Sequence, residues 1–424
     1  MSQDSTLFRS PAYGWVIVVL AALAMVATLP GRTHGLGMIT ERLLEDSSLQ
    51  IDRKTFGEIN FWATLTGSLF CIPAGWMLDR WGIRATLSLV LALLGLVVIG
   101  MTSAVSAMSF AILITLTRGL GQSALSVVSI SMTGKWFRTG LPLATGLYSI
   151  LVSVGFTAAF LWGKSQRELP WRTQWHALGM FLLFGLTPLF LLLVRSAPDS
   201  PKVDSDEASG ELQSEQSDYS VNEALATPAF WLFGIATSLY GLVSAGVSLF
   251  NESLLIERGF EKTAFYDLGM MTTAIGLGSN LLTGLMATRI RITVLASLAM
   301  SLLAAALLGL PFVSTYPALV TYAVAMGCAG GMVTVLFFTI WAQLFGRTHL
   351  GRIQGIAQMM TVFASAMGPR VLADVKTRTG SYLPAIVCLG VIAFVVAIAI
   401  AIVPIPKREI QMTNNSAIEP AVSS

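Results

Sequence analysis

The stretch GWMLDRWGIR, residues 75–84, decides how the chain is read. It gathers Asp79, Arg80 and Arg84 within six residues, with Gly75 and Gly82 around them. Apolar runs flank it, 61–78 before and 85–101 after. Charges this dense between two apolar runs fit a short turn at a membrane surface, joining two crossing helices. Gly75 lets another helix approach closely, as small residues do in membranes. Asp79 suits a helix N-terminus and a basic partner. Arg80 and Arg84 suit the headgroup zone. Such a cluster can hold one half of a protein against the other and release it.

Composition points the same way. Of 424 residues, 54% are hydrophobic and 12% charged, against about 25% charged in soluble domains. Mean hydropathy is +0.72. Apolar runs of about 18 or more residues recur, each long enough for a hydrocarbon core of about 30 Å. They fall near 13–34, 57–78, 84–104, 107–133, 142–163 and 174–195, then 229–250, 265–287, 291–312, 316–342, 351–371 and 381–404. In lipid each must satisfy its own backbone, so each is expected to be a helix. The first run, Trp15 to Leu29, is longer than a signal-peptide core and is read as a retained span.

Between the sixth and seventh runs, residues 196–228 hold eight acidic residues and one Lys. Most of that stretch cannot bury a core and reads as a disordered linker. The expected architecture is all-α: twelve transmembrane helices in two pseudo-symmetric halves of six. The divisions are 1–195, an acidic cytoplasmic linker 196–228, a second half 229–406 and a polar tail 407–424. Basic residues divide almost evenly between the two sides. The short connections carry basic pairs, Arg80 with Arg84, Lys135 with Arg138, Arg289 with Arg291 and Arg347 with Arg352. Short loops weigh most in the positive-inside rule, which places both termini in the cytoplasm and the chain in the plasma membrane.

Other classes lack their marks. A net charge of +3 is too small to suggest nucleic-acid binding. Cys71, Cys328 and Cys388 are dispersed, as are His34, His176 and His349, so no disulfide framework or metal site is expected. There is no HExxH, GxSxG or phosphate-cradling loop. A membrane-embedded transferase would cluster His, Asp or Glu at one face, and here the acids sit in a linker or scattered loops.

The pattern G-x-x-x-D-R-x-G-x-R between the second and third spans resembles the signature loop of the major facilitator superfamily of transporters. The match lies at Gly75, Asp79, Arg80, Gly82 and Arg84; Ile83 stands where the pattern has a second basic residue. Six spans later GLMATRIR, residues 284–291, echoes it with Gly284 and Arg289, but Thr288 replaces the Asp and one residue is missing. KWFRTGLPLATG (135–146) and QLFGRTHLGRIQG (343–355) form a second echo. Internal repeats are expected where two halves rock around a central site. The resemblance covers about residues 10–405. KWF…LATG and TPAFWL (227–232) look most like its oxalate/formate and monocarboxylate branch. It implies alternating access, a cavity lined by spans one, four, seven and ten, no bound cofactor, and a coupling proton or counter-substrate. Gly75, Asp79, Arg80, Gly82, Arg84 and Arg289 are the expected gating residues.

Arg118 lies about eleven residues into the fourth span, near the bilayer centre, where a charge costs about 3 kcal/mol or more. Thr115, Arg118, Gln122, Ser126, Ser129 and Thr133 recur three or four apart as one polar stripe. The seventh span offers Thr237, Tyr240, Ser244, Ser248 and Asn251, and the eleventh Gln354, Gln358, Thr361 and Ser365. Gly327, Gly330 and Gly331 of the tenth would leave room for a ligand. No Asp, Glu or His lies at mid-depth to pair with Arg118. A guanidinium without a fixed partner suits an arriving carboxylate through two parallel hydrogen bonds. The expected substrate contacts are Arg118, Gln122, Thr115, Arg32, Tyr240, Ser244 and Gln358, for a small organic anion such as a monocarboxylate. Arg118 as a structural part is the competing reading. Arg32, at the outer end of span one, also reads as a residue reaching the outer headgroups, and His34 as a titrating or solvated loop residue. A carrier of sugar, nitrate or drug, or a transporter-like ligand sensor, are the alternatives. Nitrate is disfavoured because spans two and eight lack an internal Arg, and cationic drugs because no mid-membrane carboxylate is present.

Overall fold

The computed structural model describes residues 11–405 apart from 47, 50, 138–139, 167, 196–217 and 262–263. Most of the expected linker and all of the expected tail therefore lie outside the described residues, as do Arg138 and the His34 side chain. Every regular element among the described residues is helical, and helix occupies all twelve expected stretches. Among the described residues nine helical stretches are long and apolar enough to cross a membrane. Lys54–Met101 counts as one of the nine although it holds two expected spans. The expected eighth and eleventh spans form as Ala264–Met286 and Leu350–Thr379 but fall outside the nine. Leu350–Thr379 carries Arg352, Gln354, Gln358, Arg370 and Lys376 along its length, which dilutes its apolar character.

Local sequence explains the helix limits. Asp52 accepts from Thr55 N at 2.9 Å and caps Arg53–Ser68. Ser106 and Ser109 form a capping box before Ala107–Thr117. Thr227 caps Pro228–Glu257, with Pro228 at its first position. The expected second span is interrupted after Ser68, because Pro73 has no N–H to give to the Leu69 carbonyl four residues back. The helix resumes at Cys71, and two helices meet at Gly82, whose φ of 80° and ψ of 173° suit glycine. The opening decapeptide is thus the expected turn.

Packing repeats between the two parts of the chain. Pro11–Val26 packs on Leu141–Ser165 as Pro228–Glu257 packs on Leu350–Thr379. Arg53–Ser68 packs on Ala107–Thr117 as Ala264–Met286 packs on Tyr316–Phe345. Cys71–Met101 packs on Trp171–Met180 as Ile292–Gly309 packs on Leu383–Ile402. The two most extensive joints between the parts are Cys71–Met101 on Leu350–Thr379 and Ala264–Met286 on Leu141–Ser165. Outward-facing apolar side chains such as Leu96, Leu192 and Val395 remain exposed, as a lipid-facing surface requires.

Candidate functional site

Arg118 begins a π-helical stretch, Arg118–Leu125, between two α-helical segments of the fourth span. Glycines let neighbouring segments press onto this stretch. A Cβ on Gly31 would lie 2.5 Å from the Thr117 carbonyl and 2.8 Å from Gln122 N, so the end of the first span presses directly onto this backbone. A Cβ on Gly119 would meet the Phe70 ring at 2.7 Å. π-Bulges of this kind recur at functional sites. The repeated glycines of RGLG were visible in the sequence; the extra residue per turn was not.

The Arg118 side chain is buried, 3% exposed. Its Nη1 donates to Thr33 Oγ1 at 3.1 Å and Gln122 Oε1 at 3.0 Å, and Nη2 donates to Asn60 Oδ1 at 2.7 Å. Nε has no partner among the described residues. All three acceptors are neutral, so nothing described compensates the charge. Asn60 and Thr33 were missed as site residues; Asn60 was legible only as a lone amide on an apolar span.

The Arg32 side chain is tied to the first and fourth spans. The short 3-10 turn Leu29–Gly31 ends the first span and redirects it inward. Its Nε donates to Thr28 Oγ1 at 2.7 Å and its Nη2 to Ser126 Oγ at 3.1 Å, with the guanidinium 5.6 Å from the Phe156 ring centroid. Two guanidinium groups therefore hang from one helix face, at Gln122 and at Ser126. The rest of the expected stripe is absorbed by packing. Ser129 bonds Tyr148 Oη at 2.8 Å and donates to the Ala21 carbonyl at 2.7 Å. Thr115 turns its hydroxyl back to the Ala111 carbonyl at 2.7 Å and touches neither guanidinium.

A separate cavity of about 280 Å³ lies among Pro228–Glu257, Ala264–Met286 and Tyr316–Phe345. Tyr240, Ser244, Ser248 and Asn251 line it, as the seventh-span stripe anticipated. The eighth span adds Thr272, Thr273 and Asn280, and the fifth adds Ser153. The expected lining by spans one and four does not occur here, because Gly31 and Gly121 bring those spans into contact. Gln358 is buried in a helix contact and is not part of the lining. The tenth-span glycines border the cavity but are also spent on packing. A Cβ on Gly331 would lie 2.5 Å from the Gly276 carbonyl, and one on Gly330 2.5 Å from Tyr240 Oη.

At one end of the bundle the Asp79 carboxylate is 3% exposed. It accepts from Lys135 Nζ at 2.8 Å and from the backbone N–H groups of Gly351 and Arg352, both at 2.9 Å. It thereby supplies the N-terminus of Leu350–Thr379, whose own N-cap His349 provides no side-chain bond. Arg352 Nε stands 3.9 Å away, within ion-pair range but not a hydrogen bond. Gly75 makes this possible: a Cβ there would strike the Gly351 carbonyl. Arg80 is exposed and lies over the Trp76 ring at 5.3 Å, and Arg84 and Arg289 are exposed.

A helical membrane bundle with repeated halves and a charged clasp between them describes a class of transporter. The chain belongs to the Major Facilitator Superfamily, whose family description matches residues 12–369. Among solved structures it is similar to the human organic anion transporter MFSD10 (TETRAN), at 15% identity and TM-score 0.64, covering 92% of this chain and 99% of that one. It is also similar to the transporter FucP in the outward conformation, at 15% identity and TM-score 0.64, covering 92% and 98%. A variant of the E. coli fucose:proton symporter FucP aligns at 16% identity and TM-score 0.66, covering 92% and 98%. No curated protein sequence matches the chain. The protein is a multi-pass membrane protein of a transporter superfamily.

Proposed function

We infer that the protein is a secondary transporter moving a small organic anion, such as a monocarboxylate, by alternating access across the plasma membrane. Twelve crossings with both termini cytoplasmic would place the Asp79 clasp on the cytoplasmic side. The reading rests on Arg118: a buried guanidinium held by Thr33, Gln122 and Asn60, with no carboxylate partner among the described residues. An unpaired buried cation carries a desolvation penalty of several kcal/mol. An arriving carboxylate would offset that penalty and find its donors already aimed. Arg32, one step along the same helix face, would add a second positive charge. MFSD10, an organic anion transporter by description, supports anionic cargo as possible on this fold.

The test is uptake of labelled small carboxylates into cells lacking their own carriers. Arg118→Gln, at normal membrane level, is expected to lower uptake at least tenfold. Equal uptake by the variant would make Arg118 a structural part and end the anion reading.

A further inference from the structure

We propose that the cavity among the seventh, eighth and tenth spans binds neutral hydroxyl groups, so that the transported anion is a hydroxylated carboxylate. The charged end of this assignment rests on the anion reading above; the cavity end stands on its own chemistry.

The cavity has no charged side chain in its lining. Four of its hydroxyls, those of Ser153, Thr272, Thr273 and Thr334, are committed as donors to their own helices, while the others, Ser248 and Tyr322 among them, and the amides of Asn251 and Asn280 can donate as well as accept. Thr272 Oγ1 donates to the Leu268 and Gly269 carbonyls at 2.8 and 3.1 Å. Thr273 donates to Gly269 at 2.8 Å, and Thr334 to Gly330 at 2.8 Å. A hydroxyl whose proton is spent this way offers only lone pairs to a ligand. Asn280 adds a stronger signal. It lines the cavity, is only 7% exposed, and its Oδ1 accepts no hydrogen bond among the described residues. An unpaired buried acceptor costs about 1–3 kcal/mol, and a donor in the cavity removes that cost.

The wall therefore offers neutral acceptors together with some donors, which a ligand hydroxyl, itself donor and acceptor, can pair. A carboxylate brings acceptors only, leaves the lone pairs of Thr272, Thr273, Thr334 and Asn280 unpaired and finds no cation among the described lining residues, whereas the guanidinium groups supply one. An ammonium would find no carboxylate in the wall and would face Arg32 nearby. Neutral hydroxyls remain. The two sites are also neighbours. Ser153 lines the cavity, and Phe156, three residues on along one helix face, lies under the Arg32 guanidinium. The volume, about 280 Å³, far exceeds the roughly 10–15 Å³ one water needs, so more than one hydroxyl can enter.

The test uses three probes with one four-carbon skeleton: erythronate, butyrate and the neutral polyol erythritol. Binding to the full-length protein in nanodiscs is measured by calorimetry. Erythronate is expected to bind at least tenfold more tightly than butyrate, and Asn280→Leu to compress that ratio to within twofold. Should that variant misfold, Thr272→Val combined with Thr334→Val provides the same test. Equal binding of erythronate and butyrate, or a ratio that survives these variants, overturns the proposal while leaving the anion reading intact. Erythritol binding as well as erythronate, unaffected by Arg118→Gln, would support the cavity assignment and overturn the anion reading. No binding of any probe overturns the proposal.

Discussion

The two joints between the repeated halves are built alike in packing and differently in charge. At the first, a Cβ on Gly351 would lie 2.6 Å from the Gly75 carbonyl; at the second, one on Gly284 would lie 2.8 Å from the Pro142 carbonyl. Both joints bring helix backbones together through glycine. Only the first has a lock. Asp79 reaches across to two N–H groups of the opposing helix and to Lys135. In the repeat, Thr288 stands in its place and turns its hydroxyl to its own Leu285 carbonyl at 2.6 Å. Close approach was duplicated with the repeat; the charge was not. One joint has a charged contact that exists only when the halves are closed; at the other, the described residues show no charged contact, only packing and the neutral hydrogen bond between Thr145 and Thr339 at 3.1 Å.

Asp79→Asn is expected to break this asymmetry most severely. Each hydrogen bond to a charged group contributes about 1.5–3 kcal/mol. A net loss of about 2 kcal/mol changes the ratio of closed to open joint by roughly thirty-fold. Uptake should fall at least tenfold at normal membrane level, whereas Thr288→Val should stay within twofold. Matching losses would show that the two joints work alike.

A second experiment sharpens the same contrast by reading the joint directly. Cys71 is fully buried beside it, and a Cβ on Gly355 would lie 2.6 Å from its carbonyl. With Cys328 and Cys388 replaced by Ser, Gly351→Val is expected to raise the rate of maleimide labelling at Cys71 several-fold. Gly284→Val, which disturbs the other joint, should leave that rate unchanged. Faster labelling in both variants would mean that the joints open as one.

Much of this was legible in the sequence because it depends on local spacing. The decapeptide gave the turn at Gly82, the close approach at Gly75 and a carboxylate suited to a helix N-terminus. That the Arg118 side chain is buried within the bundle followed from its place inside an apolar run. What failed depended on where one helix meets another. The stripe from Thr115 to Thr133 assumed a uniform α-helix, and the π-helical stretch Arg118–Leu125 breaks that register. Arg32 was open to two readings, substrate contact or headgroup residue, because a sequence does not show that the 3-10 turn Leu29–Gly31 brings its side chain to Ser126. Thr272 and Asn280 of the cavity belong to a helix whose polar residues show no clean stripe. Gln358 had the right spacing but is buried outside the cavity lining.

The smallest expected effect lies at the opposite end of the bundle, where the ion pairs seen among the described residues stay within a half, while Arg370 lies over the Phe61 ring of the first half at 4.9 Å. Glu257 ties Lys376 and the start of the last helix within the second half. Asp46 does the same in the first, accepting from Ser48, from Trp171 Nε1 at 3.0 Å and from Arg172 Nε at 3.0 Å. Arg172 in turn donates to the Ala104 carbonyl at 2.8 Å. Desolvation pushes the Asp46 carboxyl up, but the hydrogen bonds from Ser48, Trp171 and Arg172 outweigh it and hold it at about 2. An unfolded Asp sits near 3.9. A depressed native value means stability that is present above the unfolded value and lost as pH falls toward the native one. The partly exposed site makes the contribution small. Asp46→Asn is therefore expected to lower Tm at pH 7 by about 1–3 °C and to leave uptake within twofold. The gap from the native protein should narrow as pH drops from about 4 toward 2. A large uptake loss in this variant would mean that charges at this end also work between the halves, and the contrast between the two ends of the bundle would fail.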